Sequence, residues 1–404
     1  MTTKPLNILI LCNKSPYPPK EGGPLAMYNI IKGLLAFEHN VKVLTISTKK
    51  FMVDTHKIPV SFREQTHFES VFIDTTPSVM GALKNLFGRK SYHIERFYHI
   101  AFAEKLKQLI KTKDYDIIQL ESLYMMPYVN TLRSLSKARI VLRSHNIEHV
   151  IWERIVRGEK NILKKIYLII QAQRLKKYEL KHLNTCDGIA AITDVDAAFF
   201  KANGCRKPVT TIPFGIDISA YDPISDAERQ YGQVFFLGSL NWIPNMEGLD
   251  WFLNKVWDGI TDADKQAQLN IAGRHTPERL MKLKKRNVKL LGEVPDALSF
   301  MQSQSIMIVP LFSGSGMRIK IIEGMYAGNT IISTSIGAEG IDYTDGHNIV
   351  IADTTADFKK AVLKYLNRKD LCDKIGNNAR QLVLEKYRNT SIMKRLLDFY
   401  ELIK

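Results

Sequence analysis

The segment GSGMRIKIIEG at residues 314–324 carries residue types suited to binding a phosphate group. It follows residues 304–311, a short run rich in isoleucine and valine that is typical of a buried strand. Gly314 and Gly316 predict a turn into a helix, and Gly328 predicts its end. The segment therefore predicts a strand, a glycine turn and a helix start in immediate succession.

The predicted helix would carry Lys320 and Glu323 just after its N-terminal turn, where the backbone N–H groups have no partner within the helix. At 100° per residue, Gly316, Lys320, Glu323 and Ala327 fall in one column. A helix start offers free backbone N–H groups and the positive end of the helix dipole, and glycines let an anion approach closely. One interpretation is a phosphate at the helix start, Lys320 beside it and Glu323 one turn further on. The other is a solvated Lys–Glu pair, and this segment alone does not separate the two.

Other polar or small residues stand where predicted strands end. In open α/β sheets, ligands bind beyond the carboxyl ends of the strands, so we expect these residues to gather at one edge of each sheet. Two such domains facing each other would bring both edges to one cleft. For the histidine and the glutamate, structural or capping roles are the competing interpretations. The residues are Gly22, Gly23, Glu121, His145, Gly238, Ser239 and Arg274.

Strand-like and helix-like runs alternate along the chain, which favours an α/β fold built on parallel sheets. A length of 404 residues suits two domains. The turn-rich stretch 212–229 separates two series of predicted strands. We therefore expect an N-terminal domain at 1–214, a C-terminal domain at 215–386, and a final helix at about 387–404 that packs back on the first domain.

The motifs of several functional classes are absent from this sequence. No G-x-G-x-x-G follows the first predicted strand, and the P-loop, H-E-x-x-H and G-x-S-x-G patterns are absent. No apolar run approaches the ~18 residues of a membrane span, and we identify no signal peptide. The four cysteines lack metal-like spacing, so we expect a cytoplasmic protein with neither a disulfide nor a structural zinc.

The net charge of +16 is unevenly distributed. Residues 1–217 hold 33 basic and 19 acidic residues, whereas the remainder holds 24 and 22. This asymmetry suggests that the first domain faces an anionic membrane surface, a nucleic acid or an anionic lipid-linked substrate. Solubility alone is the competing explanation. Residues 160–182 are a candidate basic amphipathic helix, or an ordinary surface helix with a solvated basic face.

The motifs together resemble a nucleotide-sugar glycosyltransferase of the two-Rossmann-domain (GT-B) type, similar to the retaining glycosyltransferase family four. The most specific part of the resemblance is the block at 314–341, supported by the glycine pair at 22–23 and by "IPFGID" at 212–217. The resemblance implies two facing Rossmann-like domains, of which the first takes the acceptor and the second takes the donor nucleotide.

The resemblance also implies roles for particular residues. The family carries two glutamates separated by seven residues. Glu323 matches the second, which holds the donor ribose, while Ser315 stands in place of the first and is expected among the donor contacts. The family's basic pair for the diphosphate is missing from "GSLNWIPN" (238–245), so Arg318 and Lys320 are expected to supply the charge. His145 is expected near the donor sugar, and Glu121 near acceptor or sugar hydroxyls. The remaining expected donor contacts come from Gly238, Ser239, Arg274, Gly314 and Gly316. Gly22 and Gly23 are expected in an acceptor-side or phosphate loop. Trp242 and Trp251 are expected to pack in the core.

The expected activity is transfer of a sugar from a nucleotide diphosphate donor to a hydroxyl acceptor, with retention, in cell-surface glycan or polysaccharide synthesis. No cofactor or metal is expected, and no protein nucleophile is assigned. The acceptor is expected to be a hydroxyl compound, with lipid-linked saccharides as candidates, and attachment to the inner face of a membrane is a further expectation. A nucleic-acid partner is not expected. A nucleotide-sugar epimerase of the same architecture and a non-catalytic nucleotide-sugar-binding protein are the alternatives.

Overall fold

The computed structural model describes residues 4–19, 22–218, 229–314 and 316–404. The chain divides into two compact units. The first unit runs to Gly215 and also takes Ile392–Lys404, whereas the second comprises Ile216–Ser391. The final helix thus returns most of its length to the first unit.

The first unit contains a parallel sheet of seven described strands in the order β3-β2-β1-β4-β5-β6-β7. Cys12 pairs with Thr45 on one side and with Glu121 on the other, so the carboxyl ends of the central strands lie level. The strands are β1 (Asn7–Cys12), β2 (Asn40–Ser47), β3 (Glu69–Phe72), β4 (Ile117–Glu121), β5 (Arg139–Ser144), β6 (Gly188–Ala191) and β7 (Val209–Thr211).

Helices cover both faces of this sheet. Alternate residues of β1 point to opposite faces, so Leu9 and Leu11 join one buried cluster while Ile8 and Ile10 join the other. The helices are α1 (Gly22–Ala36), α2 (Val60–Gln65), α3 (Val79–Leu86), α4 (Tyr92–Glu95), α5 (Ile100–Thr112), α6 (Val129–Leu135), α7 (Glu148–Gly158), α8 (Ile162–Lys181) and α9 (Asp194–Ala202), with 3-10 turns at Thr55–Lys57 and Leu123–Tyr128.

The second unit contains a parallel sheet of six described strands in the order β10-β9-β8-β11-β12-β13. Its strands are β8 (Gln230–Leu237), β9 (Gln268–Ala272), β10 (Val288–Gly292), β11 (Gln304–Val309), β12 (Thr330–Ser333) and β13 (Val350–Ile351). The helices are α10 (Ile243–Trp251), continued by a π-helical turn (Phe252–Trp257) into α11 (Asp258–Ala263), then α12 (Glu278–Met281), α13 (Ala297–Gln302), α14 (Ile319–Tyr326), α15 (Thr355–Tyr365), α16 (Lys369–Lys386) and α17 (Asn389–Ile403), whose later part belongs to the first unit.

The predicted fold class, α/β with two Rossmann-like domains, is confirmed. Strands β3 and β7 were not predicted, because both are short and only partly buried and therefore lack a continuous apolar run. The last strand of the second sheet, β13, has only two residues. Of the helices in the described part of the chain, none is both long enough and apolar enough to cross a membrane.

Candidate active site

The turn before α14 is built on glycine backbone, as the sequence predicts. Gly314 has φ +102° and Gly316 has φ +79°, in the left-handed region that side chains disfavour. The helix itself begins at Ile319, three residues later than Gly316, because the second glycine still belongs to the turn. Arg318 occupies the N-cap position without capping the helix through its side chain. Gly328, with φ +78°, follows the end of the helix.

Lys320 extends from the first turn of α14 to the loop that follows β8. Its ammonium donates to the carbonyl oxygen of Leu237 and to the side-chain oxygen of Asn245, both at 3.1 Å. The same nitrogen lies 4.9 Å from the centroid of the Phe236 ring. Burial, reinforced by the charge of Arg318, lowers the pKa of Lys320 to about 7. Among the residues that the structure describes, no acidic side chain pairs with this ammonium, which favours binding of an anionic ligand.

Gly238 and Ser239 belong to the same cluster. A Cβ atom on Gly238 would lie 2.7 Å from the Asn245 side-chain nitrogen and 3.2 Å from the Lys320 ammonium, so only glycine fits there without displacement. The Asn245 amide donates to the carbonyl oxygen of Ser239 at 2.9 Å. Asn245 thus joins the loop after β8 to Lys320, although no sequence motif singles it out.

Arg318 and Trp242 form a second pair beside the glycine turn. The guanidinium lies 5.5 Å from the centroid of the Trp242 ring and donates to the carbonyl oxygen of Gly316 at 2.7 Å. Trp242 is 38% exposed, so the prediction that it packs in the core is wrong. Trp251, in contrast, packs edge-on against Phe312. An exposed indole beside a cation and a glycine turn offers a flat surface for a planar ligand group.

Glu323 lies one turn beyond Lys320 on the same side of α14. Burial, with a smaller contribution from Asp296, raises the pKa of Glu323 to about 7. The carboxylate has no hydrogen-bond partner among the residues that the structure describes. A partly buried carboxylate of this kind can accept hydrogen bonds from ligand hydroxyl groups.

Two of the predicted donor contacts are less closely tied to this cluster. Arg274 follows β9, and its carbonyl oxygen accepts from the Leu240 N–H at 2.9 Å. Its backbone therefore adjoins the loop after β8. Ser315 lies outside the described residues, and its predicted role stays a prediction.

In the first unit, His145 and Glu121 lie together at the carboxyl ends of β5 and β4. The His145 Nε2 atom is 2.6 Å from the Glu121 Oε2 atom, and Arg143 donates to the same oxygen at 3.1 Å. Gln119 donates to Oε1 at 2.6 Å. Glu121 and Arg143 are fully buried, so both carboxylate oxygens are engaged inside the protein. We therefore expect Glu121 to orient His145 and not to touch acceptor hydroxyls as the sequence suggested.

The charges of this group decide the tautomer of His145. Burial by itself would raise the pKa of Glu121, but Arg143 and His145 outweigh it and lower that pKa to about 2. Burial lowers the pKa of His145, although the bond to Glu121 opposes this. The histidine is therefore neutral near pH 7 with the proton on Nε2, since a carboxylate can only accept. The Nδ1 atom remains as a hydrogen-bond acceptor.

Gly22 and Gly23 open α1, and Lys14 lies against Gly23. A Cβ atom on Gly23 would lie 2.8 Å from the Lys14 ammonium. Burial lowers the pKa of His145 and the charge of Lys14 adds slightly to that effect, whereas burial raises the pKa of Glu148 and the charge of Lys14 slightly opposes that rise. This places Lys14 within electrostatic reach of both residues. The sequence offered one usable signal for Lys14, which is its position two residues past the first strand.

Glu148 was also missed, and it belongs to a buried acidic group. The Tyr124 hydroxyl donates to Glu148 Oε2 at 3.0 Å, and the Glu148 N–H donates to Glu179 at 3.0 Å. Glu179 also accepts from His149 Nδ1 at 2.6 Å. Burial, reinforced by the charge of Glu179, raises the pKa of Glu148 to about 7. A carboxyl group half protonated at neutral pH thus stands three residues after His145.

The arrangement can bind an anion in the second unit and present a neutral histidine in the first. Within the described residues, no group of three or more His, Cys, Asp or Glu side chains is placed to hold a metal ion.

Comparison with known proteins identifies two sequence families. The family described as "Glycosyltransferase Family 4" matches residues 22–220, and "Glycosyl transferases group 1" matches residues 232–368. A protein of Klebsiella pneumoniae, "Uncharacterized 44.6 kDa protein in cps region", is 23% identical over 399 residues, covering 96% of this chain and 98% of the relative.

Several solved structures have the same fold along almost the whole chain. Sucrose-phosphate synthase from Thermosynechococcus elongatus superposes with a TM-score of 0.70 at 15% identity, covering 98% of this chain and 99% of that chain. Anabaena Alr3699/HepE in complex with UDP gives 0.67 at 15% identity, with 98% and 100% covered. A mutant of S. aureus TarM in complex with fondaparinux, alpha-GlcNAc-glycerol and UDP gives 0.69 at 12% identity, with 98% and 100% covered.

Proposed function

Because residues 22–220 belong to Glycosyltransferase Family 4 and residues 232–368 to the group 1 glycosyl transferases, we propose that this glycosyltransferase moves a sugar from a nucleoside diphosphate donor to an acceptor hydroxyl with retention of configuration. The observation that carries the proposal is the Lys320 ammonium held beside the open start of α14. Lys320 offers a cation to a diphosphate and the helix start offers backbone N–H donors, while no acidic side chain in the described part of the chain pairs with the lysine.

The donor would be held in three parts. The diphosphate occupies the glycine turn and the start of α14, where Lys320 and Arg318 supply positive charge. The ribose hydroxyls donate to Glu323. The base lies against the exposed ring of Trp242. Binding of UDP by the Anabaena and S. aureus proteins supports a uridine nucleotide as the first donor to test.

The transfer step breaks the bond between the anomeric carbon and the leaving phosphate oxygen and forms a bond from that carbon to the acceptor oxygen. Retention follows if the acceptor attacks from the face that the phosphate leaves, with the phosphate oxygen taking the acceptor proton. Lys320 and the helix N–H groups stabilise the negative charge on the departing diphosphate. His145 would accept a hydrogen bond from the donor sugar through Nδ1. We propose that no metal is needed, because protein cations take its place, and that EDTA leaves the rate unchanged.

The acceptor is proposed to be a growing cell-surface glycan or polysaccharide, or its lipid-linked precursor. The relative in the Klebsiella cps region supports this assignment. The excess of basic residues in 1–217 supports attachment of the first unit to an anionic membrane surface.

The test is a transfer assay with radiolabelled UDP-, GDP-, CDP- and ADP-sugars against a panel of lipid-linked saccharides and simple glycosides. Product must carry the label with the anomeric configuration of the donor, which the proton coupling constant reports. Thermal shift with the four nucleoside diphosphates selects the donor, since a ligand at 100 times its dissociation constant adds roughly 2.7 kcal/mol of stability. Formation of an epimeric nucleotide sugar without acceptor would overturn transfer, and an inverted product would overturn retention.

A further inference from the structure

The first unit exposes a group of large apolar side chains on two neighbouring helices. On α3 and just after it, Phe87 is 94% exposed and Val79 is 80% exposed. On the first half of α8, Leu163 is 81% exposed. We call the exposed set the α3–α8 surface, which comprises Val79, Met80, Leu83, Phe87, Ile162, Leu163, Ile166 and Ile169. Single exposed apolar residues are normal, whereas eight on two neighbouring helices are more typical of an interaction site.

The two helices are joined by side chains of α8. Gln171 donates to the Asn85 side chain at 2.8 Å, and Arg174 donates to the carbonyl oxygens of Asn85 and Leu86 at 2.8 and 2.9 Å. Arg174 thereby satisfies backbone oxygens at the end of α3. The position of α3 is therefore fixed against the middle of α8.

A basic cavity adjoins the apolar residues. It has a volume of about 490 Å³ and lies between α3 and α4. Lys84, Arg89, Lys90 and Arg96 line it, and Glu95 is the acidic residue among its walls. Asn85 donates to the Glu95 carboxylate at 2.6 Å, so part of that charge is already engaged. The cavity therefore suits a phosphate group better than a cation.

The chain segments that carry the α3–α8 surface are also rich in basic residues. Residues 78–96 and 154–177, which carry the α3–α8 surface, together contain 12 basic residues and 2 acidic ones. Apolar side chains flanked by many cations match an anionic lipid bilayer, in which a charged headgroup layer covers an apolar interior. A second copy of this chain fits poorly, because two such surfaces would bring like charges together. Nucleic acid fits poorly as well, because seven of the eight exposed side chains are aliphatic and cannot stack on bases as aromatic rings do.

We propose that the α3–α8 surface docks on an anionic phospholipid bilayer. The apolar side chains enter the interfacial region, and the basic cavity takes a lipid headgroup phosphate. This inference specifies the surface through which the proposed glycosyltransferase attaches to the membrane of its acceptor. It rests on the proposed function only for the biological role of that attachment. Vesicle binding is measured without a sugar donor, so its failure and the failure of sugar transfer are distinguishable.

The test is sedimentation of the full chain with vesicles of phosphatidylglycerol or of phosphatidylcholine. We expect binding to phosphatidylglycerol and at least tenfold weaker binding to phosphatidylcholine. Raising the salt should weaken binding, because exposed charges are screened within about 8 Å at physiological ionic strength.

Three double variants test the surface itself. Met80→Ser with Phe87→Ser, and Leu163→Ser with Ile166→Ser, should each lower the partition coefficient at least tenfold. Arg89→Gln with Lys90→Gln should lower it by an order of magnitude or more, at roughly fivefold per cation, and should flatten its salt dependence.

Matched controls come from elsewhere in the first unit. Val195→Ser with Leu402→Ser removes apolar side chains that are 67% and 72% exposed. Lys111→Gln with Lys201→Gln removes two exposed cations. Both controls should bind as the wild type does, and every variant should keep the thermal unfolding midpoint of the wild type, which shows that it folds.

The proposal is overturned if wild-type protein stays in the supernatant with phosphatidylglycerol vesicles, or if the surface variants sediment as strongly as the controls. Gel filtration adds a second readout. A dimer that Phe87→Ser dissociates, together with no vesicle binding, would assign the α3–α8 surface to a second copy of the chain and overturn the membrane assignment.

Discussion

The Lys320 ammonium lies 3.1 Å from the side-chain oxygen of Asn245, and the nitrogen of the same amide donates to the carbonyl oxygen of Ser239. One amide therefore holds a cation from α14 against the loop that follows β8. That loop, residues 238–245, contains no basic residue of its own. Lys320 thus supplies to the loop after β8 the positive charge that the loop's own residues lack.

Replacing Lys320 with alanine should weaken UDP binding about 10- to 100-fold, because a hydrogen bond to a charged group is worth about 1.5–3 kcal/mol. Uridine lacks the diphosphate, so its affinity should be nearly unchanged. Isothermal titration calorimetry measures both ligands. Lys284→Ala, which removes an exposed lysine of the same unit, is the matched control and should bind UDP normally. Equal losses for UDP and uridine would contradict the phosphate role.

The affinity for UDP should pass through a maximum near pH 7. Lys320 must be protonated to hold a phosphate, and its pKa of about 7 means that this form is lost as pH rises. Glu323 must be ionised to accept ribose hydroxyls, and its pKa of about 7 means that this form is lost as pH falls. Binding of the diphosphate raises the pKa of Lys320, so titrations above pH 7 should take up protons. Calorimetry in buffers of different ionisation enthalpy detects this uptake, and identical heats in all buffers would argue against it.

The phosphate segment could be predicted because its information is local. Two glycines, a lysine and a glutamate within ten residues define a turn and one side of a helix, whatever the rest of the chain does. Asn245 could not be predicted in the same way, since its bond to Lys320 spans 75 residues. Only the neighbourhood of β8 and β11 in the sheet brings the two together.

Asn245 was missed, whereas Glu121 was assigned a contact to substrate that its burial does not support. A glutamate at the end of a predicted strand suggests an exposed side chain, and hence a contact to substrate. The register of β4 and β5 pairs Glu121 with Arg143, and the two side chains neutralise each other inside the protein. Sequence periodicity carries no information on that register, so the burial of both charges was not foreseeable.

Changing Glu323 to glutamine should weaken the binding of UDP about 10-fold, because a neutral amide accepts from the ribose less strongly than a carboxylate. A dideoxy analogue of UDP that lacks both ribose hydroxyls should be insensitive to the substitution. Competition titration with the two ligands gives both affinities. If the dideoxy compound loses as much affinity as UDP, then Glu323 does not contact the ribose.

His145→Ala should reduce turnover about 10- to 100-fold by removing a hydrogen bond to the reacting sugar. UDP affinity should stay within a factor of two or so, because the proposed nucleotide contacts all belong to the second unit. Steady-state kinetics and calorimetry on the same preparation separate the two effects. His56→Ala removes an exposed histidine of the first unit and should retain full turnover. Wild-type turnover in His145→Ala would return this histidine to a structural role.

Glu148→Gln should stabilise the first unit at alkaline pH. The pKa of Glu148 is about 7 in the folded protein, whereas its ordinary value, expected in the unfolded chain, is 4.5. Folding therefore favours the protonated form. The free energy of unfolding therefore falls as pH rises from 4.5 towards 7, and the full penalty remains above pH 7. Glutamine keeps the hydrogen bond from Tyr124 and cannot ionise.

For this substitution we expect the free energy of unfolding to rise by about 1–3 kcal/mol at pH 8 and almost not at all at pH 4. The gain follows from the raised pKa of Glu148, which penalises folding only where the carboxyl group is ionised. Thermal unfolding midpoints at both pH values measure it. Glu64→Gln, at an exposed position of the same unit, should change neither. A loss of stability at pH 8 in Glu148→Gln would mean that the ionised carboxylate is favoured by its surroundings, with Lys14 outweighing both burial and the charge of Glu179.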